Sequence, residues 1–318
     1  MRWSCRLRSG SSAGEQKYPC ETFRIRDRIR KTHICGLRSE EVVLVEPTID
    51  EQILEELHRK RKIFFEKVVY RLSVVILFIV LWSLFVQLAH SSYIPTPIGV
   101  AKAIGHLVVK GDFEGYSLWK HAWASFVRVL SGFTLALILG VLLGLFMGLF
   151  PIFYDTTKVI IEPVRFIPPL AWIPIAIVLM RGFSRYVFII WLGAFFPIFI
   201  SVLASIPSVD PILKDVIKVY GGTRFDIIRK NIFPSIMPEI LSGAKIGLGV
   251  SWMCIVAAEM IGGENVGLGR LILKYADLLK TNEIVVGMLL IGIIGYLSNE
   301  VMLRLERHLF RWRTKMTL

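Results

Sequence analysis

The chain has 318 residues, 54% hydrophobic and 20% charged, with a mean hydropathy of +0.59; soluble domains carry roughly a quarter of their residues as charges, so a water-soluble enzyme core is excluded. A net charge of +13 would in a soluble chain suggest nucleic-acid binding. Here the apolar residues gather in runs such as 74–86 and 135–150, which soluble cores rarely contain, and the bilayer is the expected solvent.

Residues 1–66 stand apart as a basic extension, expected to be cytoplasmic. They lack the 7–15-residue apolar core that a secretory signal requires. Cys5, Cys20 and Cys35 recur at intervals of fifteen, with His33 near the last. Structural zinc sites pair their ligands two to four residues apart, so reduced thiols and no metal are expected. Thr48 with Glu51 three residues on opens a helix leading to the membrane. The remainder, 67–318, reads as one transmembrane domain that includes a long connection at 205–238.

A crossing helix needs about 20 mostly apolar residues, and six stretches qualify: 68–89, 123–150, 164–181, 185–204, 236–261 and 284–303. The fold class is therefore all-α, a polytopic membrane protein of about six transmembrane helices. Pro163, Pro168, Pro169 and Pro174 interrupt the third stretch, which is expected to be a broken helix packed inside the bundle. Cytoplasmic segments carry the excess of Lys and Arg. Residues 1–67, 151–165, 205–240 and the tail from Arg304 together hold 27 of them, and the alternate connections hold 8. Both termini and the 205–238 connection are thus expected to be cytoplasmic, in a multi-pass protein of the cell membrane.

Within the spans, Gly132, Ala136, Gly140, Gly144 and Gly148 fall four residues apart on one helix face, a stripe that lets backbones approach closely, within this bundle or across a dimer. Arg71, Arg128, Lys245 and Glu300 lie near span ends, where long side chains can reach the headgroups. Glu259 lies in the fifth span near its outer end, either as an interfacial carboxylate or lining a solute path. Cys254 reads as packing. So little intramembrane charge weighs against an ion-gradient-driven secondary transporter, the alternative reading. The six His residues, at 33, 58, 90, 106, 121 and 308, are too scattered for a membrane enzyme.

The stretch Asp210 to Pro238 is patterned as two short helices. Pro211 suits a first helical position, and Gly221 with Gly222 can end that helix in the left-handed conformation. Thr223 caps a second helix with Asp226 three residues on. Phe225, Ile228 and Ile232 recur at helical spacing while Arg224, Arg229 and Lys230 project elsewhere, and Pro234 is expected to stop it. Such an element could lie on anionic lipid or fit a groove on a partner.

This segment resembles the signature loop of permeases from binding-protein-dependent ABC importers: Glu-Ala-Ala, three residues, Gly, nine residues, Ile-x-Leu-Pro. Asp215 takes the Glu position, Gly221 the Gly and Pro234 the Pro, with the thirteen-residue interval preserved. Val216 and Ile217 replace the alanines, and Asn231 and Phe233 replace the Ile and Leu. Tyr93-Ile-Pro-Thr-Pro-Ile-Gly-Val100, Pro168-Pro-Leu-Ala-Trp-Ile-Pro174, Gly193-Ala-Phe-Phe-Pro197, Ala257-Ala-Glu-Met-Ile-Gly262 and Gly267-Leu-Gly269 are similar, in order, to segments of the branch that imports nitrate, sulfonates, taurine or bicarbonate. The long amino-terminal segment departs from the family's short one.

The resemblance implies a type I ABC importer permease. In that arrangement two permease copies, here expected to be identical, form the path, two ATPase subunits bind ATP and Mg beneath, and an extracytoplasmic binding protein delivers solute. The chain would then be neither an enzyme nor a holder of cofactor. No Gly-x-x-x-x-Gly-Lys-Ser/Thr phosphate loop occurs in it. By resemblance Asp215, Gly221, Thr223, Arg224, Phe225, Asp226, Ile228, Arg229 and Pro234 belong to the ATPase-coupling helix. Trp172, Phe196 and Glu259 are the expected path residues, with helix packing as their alternative role.

Overall fold

A computed structural model describes residues 33–36, 42–45, 49–89 and 93–310, with side chains from residue 61 onward. The reading of Cys5 and Cys20, and of the Cys35 and His33 side chains, falls outside the described residues. The chain divides into two units, 1–81 and 82–318. The first contains a short antiparallel hairpin that an all-helical expectation lacks, β1 (His33–Gly36) with β2 (Val42–Val45). It also contains most of α1 (Ile49–Ala89), whose stretch 61–89 is long and apolar enough to cross a membrane. The expected helix over 48–66 and the first span are thus one continuous helix.

The second unit is built from α2 (Pro97–Val109), α3 (Leu118–Leu149), α4 (Pro151–Arg165), α5 (Ile173–Leu179), α6 (Phe183–Ser205), α7 (Pro211–Val219), α8 (Arg224–Ile227), α9 (Phe233–Ile261), α10 (Leu268–Asp277) and α11 (Thr281–Leu309). Local chemistry marks the starts. Thr96 Oγ1 accepts from the Gly99 N–H at 2.9 Å ahead of Pro97, and Ser117 Oγ accepts from the Lys120 N–H ahead of α3. Five helices among the described residues could each cross a membrane, and the pair Pro151–Arg165 and Pro169–Leu179, bent by 86°, makes up to six.

The small-residue stripe of α3 packs inside the bundle, against α6. A Cβ at Gly132 would lie 2.6 Å from Ile190 Cβ, one at Gly140 would lie 3.0 Å from Ile198 Cγ2, and one at Gly144 would lie 2.8 Å from Val202 Cβ. Backbones this close gain dispersion contacts that lipid cannot match. The partner numbers rise together, so α3 and α6 run parallel. Gly193 against Cys254, Gly247 against Ile198 and Gly243 against Ser201 run in opposite order, which makes α9 antiparallel to α6. Lys245 Nζ meets Glu306 Oε2 at 2.8 Å and Gly295 faces Trp252, so α11 runs antiparallel to α9. The bundle therefore has an α7 end, holding residues 150, 206 and 223, and an α10 end, holding 117, 182 and 262.

Two parallel helices close in sequence require the chain between them to return across the membrane. The bent pair is that return crossing, which corrects the expected span at 164–181: the crossing begins at Pro151 and breaks at 166–168. The segment Pro169–Leu179 alone is on the order of 16 Å long, about half the hydrocarbon thickness. It cannot be a span by itself. At the break, Pro169 Cγ lies 3.5 Å from where a Cβ on Gly193 would sit, and Ile173 and Ala176 belong to the main buried core that Ile190 and Cys254 also enter.

Overpacking the interface tests it. Gly132→Val should destabilise the detergent-solubilised protein by about 1–3 kcal/mol, read as a lower thermal midpoint by tryptophan fluorescence. Gly105→Ala, whose added Cβ meets nothing within 4 Å, should leave the midpoint unchanged or raise it.

Candidate functional site

At the α7 end, Asp210 accepts from the Ile212 N–H at 2.8 Å and Pro211 opens α7. The helix ends at Val219, and Gly221 turns the chain with φ +76° in open surroundings. Gly222 is needed for space, since a Cβ there would stand 2.4 Å from Ile217 Cγ2. Thr223 and Asp226 form a reciprocal capping box: Asp226 N–H donates to Thr223 Oγ1 at 3.2 Å, and Thr223 N–H donates to Asp226 at 3.0 Å. Lys218 pairs with Asp215 and Lys230 with Asp226, both at 2.8 Å.

Pro234 does not stop the helix here. A π turn, Ile228–Ile232, joins α8 to α9, and the helical run continues from Arg224 to Ile261. Widening the turn before a proline accommodates its ring and missing donor. Ile227 and Ile228 pack on the main core and anchor the π turn. Arg224 and Arg229 are exposed, as is Phe225 at 66%, and so are Ile212, Val216 and Val219 on α7 and Tyr220 just after it. The result is a capped, ion-paired knuckle whose apolar and basic surface no described residue covers.

At the α10 end the sequence reading missed a buried polar knot. His121, Ser125 and Arg128 share one face of α3. Three successive backbone donors at the start of α10 are received by side chains: Gly267 N–H by His121 Nδ1 at 3.0 Å, Leu268 N–H by Ser125 Oγ at 2.9 Å, and Gly269 N–H by Glu259 Oε2 at 2.9 Å. Helix starts leave such donors orphaned; two other helices satisfy these. Arg128 Nη1 donates to Glu259 at 2.7 Å and to Val266 O at 2.8 Å, and its second terminal nitrogen pairs with Glu264. Gly267 and Gly269 are glycines because a Cβ would strike the Glu259 carboxyl at 2.5 Å or Val256 O at 2.4 Å.

The knot extends outward. His121 Nε2–H donates to Asp112 Oδ2 at 3.2 Å, and Lys274 reaches Asp112, Glu114 and Asn265 O. Burial alone would raise the Asp112 carboxyl, but the Tyr116 backbone N–H, Lys274 and His121 hold it below the ordinary carboxylate range. Its stabilising effect is complete above about pH 4 and fades as pH falls through the depressed value.

The profile of the family described as "binding-protein-dependent transport system inner membrane component" matches residues 136–315. A putative ABC transporter permease protein of Methanocaldococcus jannaschii is 33% identical over 261 residues, 80% of this chain and 96% of the relative. The taurine transport system permease protein of Escherichia coli is 31% identical over 71% of this chain and 82% of its own length, and a nitrate import permease protein of Synechocystis is 30% identical over 77% and 90%. The chain belongs to this permease family. The permease is the membrane subunit of an ABC importer rather than an ion-gradient carrier, and it is a multi-pass membrane protein. A solved MetNI methionine ABC transporter, inward-facing, aligns with TM-score 0.51 at 22% identity over 65% of this chain and 97% of that one, which shows the type I importer permease fold.

Within the permease the three expected path residues are not brought together. Glu259 is 1% exposed and is held by Ser125, Arg128 and Gly269 at the α10 end. Trp172 packs on the core beside the break at 166–168. Phe196 is half-buried on α6, edge to face with Phe195 at 5.2 Å. Arg128 does not reach for headgroups, as its place near a span end suggested. It is 6% exposed and paired inside, because α3 begins at Leu118 and sets it three turns deep.

Breaking a buried pair exposes its partner's uncompensated charge. Glu259→Gln should cost about 3 kcal/mol, Ser125→Ala about 1–2 kcal/mol, and Glu264→Gln, at a carboxylate 35% exposed, under about 1 kcal/mol. Thermal unfolding in detergent reads the order, and equal costs for Glu259 and Glu264 would contradict a load carried by the buried member.

Proposed function

We propose that this permease imports a small anionic or zwitterionic solute of the nitrate, sulfonate, taurine or bicarbonate class, driven by ATP hydrolysis on a separate ATPase. Relatives named for taurine, nitrate and aliphatic sulfonates support the solute class. Two identical permease copies in lipid, two ATPase subunits holding ATP and Mg, and an extracytoplasmic binding protein complete the transporter; this chain contributes no cofactor and no catalytic residue. Both termini face the cytoplasm, with residues 1–66 as a basic extension of the 67–318 permease domain.

The observation that carries the coupling proposal is the capped knuckle. A transmitter of force has to be stiff, and it has to present a surface its own bundle leaves uncovered. Gly221 sets the turn, and Thr223 with Asp226 locks the start of α8. Phe225 inserts into an ATPase cleft, and Arg224 and Arg229 pair with carboxylates on it. Asp215 steadies Lys218 on α7, while Ile228 and Pro234 tie the knuckle through the π turn to α9. Movement of the ATPase pair is thereby delivered directly to a helix of the bundle.

Gly221→Asp has room for its side chain and costs only about 1 kcal/mol of left-handed strain. The variant should stay in the membrane at normal abundance yet lose uptake, while the copurified ATPase hydrolyses ATP without response to solute-loaded binding protein. Normal uptake with solute-stimulated hydrolysis in reconstituted vesicles would refute the coupling role.

A further inference from the structure

The helix α4 carries a polar stripe in a place where lipid cannot accept one. Tyr154, Asp155, Lys158, Glu162 and Arg165 fall within about 100° of one another around the helix. Ile152, Val159 and Ile160, exposed at 74%, 73% and 69%, follow around the helix beyond Asp155, and of the three Ile160 lies opposite the stripe. The stripe's partners are its own members: Tyr154 OH donates to Glu162 at 3.2 Å, Lys158 meets Asp155 at 2.8 Å, and Arg165 meets Glu162 at 2.9 Å. No α4 residue is buried. Contact with α3 lies to one side, through Phe153 on Phe146 with ring centroids 5.1 Å apart and Thr157 beside Met147.

The neighbours at each end of α4 fix its depth. It starts beside the close of α3, whose Gly148 packs on Ile206, and it ends just before Pro169, which packs on Gly193. Along α6 the rise from 206 to 193 is roughly 20 Å, and α4 itself is roughly 22 Å long. Residues 166–168 can supply no more than roughly 10 Å of that rise, so α4 climbs into the half of the membrane nearest α7 instead of lying flat on the surface. Two acids and two bases facing hydrocarbon there would cost several kcal/mol or more, and among the described residues of its own unit, 93–310, no element buries them.

We propose that the polar stripe of α4 lines a water-filled half-channel opening at the α7 end, the exit half of the solute path. The proposal rests on the importer reading. It moves the path in this half of the membrane from Trp172, Phe196 and Glu259 to Asp155, Lys158, Glu162 and Arg165. The stripe is electrically balanced, so it hydrates a passing solute without holding it by net charge.

The test replaces Cys5, Cys20, Cys35 and Cys254, then places single cysteines by Asp155→Cys, Lys158→Cys, Glu162→Cys and, on the opposite face, Ile160→Cys in the full-length permease assembled with its ATPase in nanodiscs. The probe is a water-soluble, membrane-impermeant methanethiosulfonate. The three stripe cysteines should react at least about tenfold faster than the one at 160, and trapping with ATP and vanadate should slow the reaction at position 162 by a similar factor. Equal reaction on both faces would overturn the proposal. So would an unreactive stripe, meaning that a second copy covers it dry, or a reactive stripe indifferent to trapping, meaning a helix on the membrane surface. ATP hydrolysis by the cysteine-free complex reports the importer reading separately: active hydrolysis with any of those three patterns faults only the half-channel. If no ATPase assembles with the permease, the importer reading fails instead.

Discussion

Helix packing without a hydrophobic drive is the constraint on which this molecule turns. Lipid tails are as apolar as the side chains they touch, so helices associate through close fit and hydrogen bonds. The close fit is supplied where α3 lays Gly132, Gly140 and Gly144 against Ile190, Ile198 and Val202 of α6, and where α6 and α9 approach at Gly193 and Gly247. Those contacts set more than stability. Because α3 and α6 lie parallel, the chain between them has to recross, and a helix bearing four charges is drawn into the membrane to do it.

The two ends of the bundle use polar groups in opposite ways. At the α10 end, His121, Ser125, Arg128 and Glu259 are consumed internally, each spent on a backbone donor or a countercharge. Buried charges so fully paired are costly to disturb, and they fasten α10 and the preceding loop to α3 and α9. At the α7 end, the capping box makes the backbone stiff while Arg224, Phe225 and Arg229 stay unengaged. A fastened end opposite a presented one suits a machine driven from a single side.

Much of this was legible in the sequence. Apolar runs located the long helices, the four-residue small stripe announced a close helix contact, and Thr223 with Asp226 marked a capped start. The failures share a cause: sequence patterns report local preference, and the deciding partners are distant. Pro234 reads as a stop because it lacks a donor, but a π turn absorbs it. Arg128 reads as reaching for headgroups until Glu259, 131 residues away, is found beside it. The helix α10 was missed although Leu268, Leu271, Ile272 and Tyr275 carry a helical period; its start lacks a local cap because His121, Ser125 and Glu259 provide one from elsewhere. The charges of α4 argued for a connection outside the membrane, and only the parallel course of α3 and α6 places them within it.

The parallel course of α3 and α6 is tested most directly by sidedness. Phe113 and Val219 are exposed at 59% and 85%, on the α10 and α7 ends. With native cysteines replaced, Phe113→Cys should be labelled by an impermeant thiol reagent on intact cells, and Val219→Cys only after the inner face is opened. Labelling of both from the same side would contradict the crossing pattern, and with it the placement of the knuckle where an ATPase could drive it.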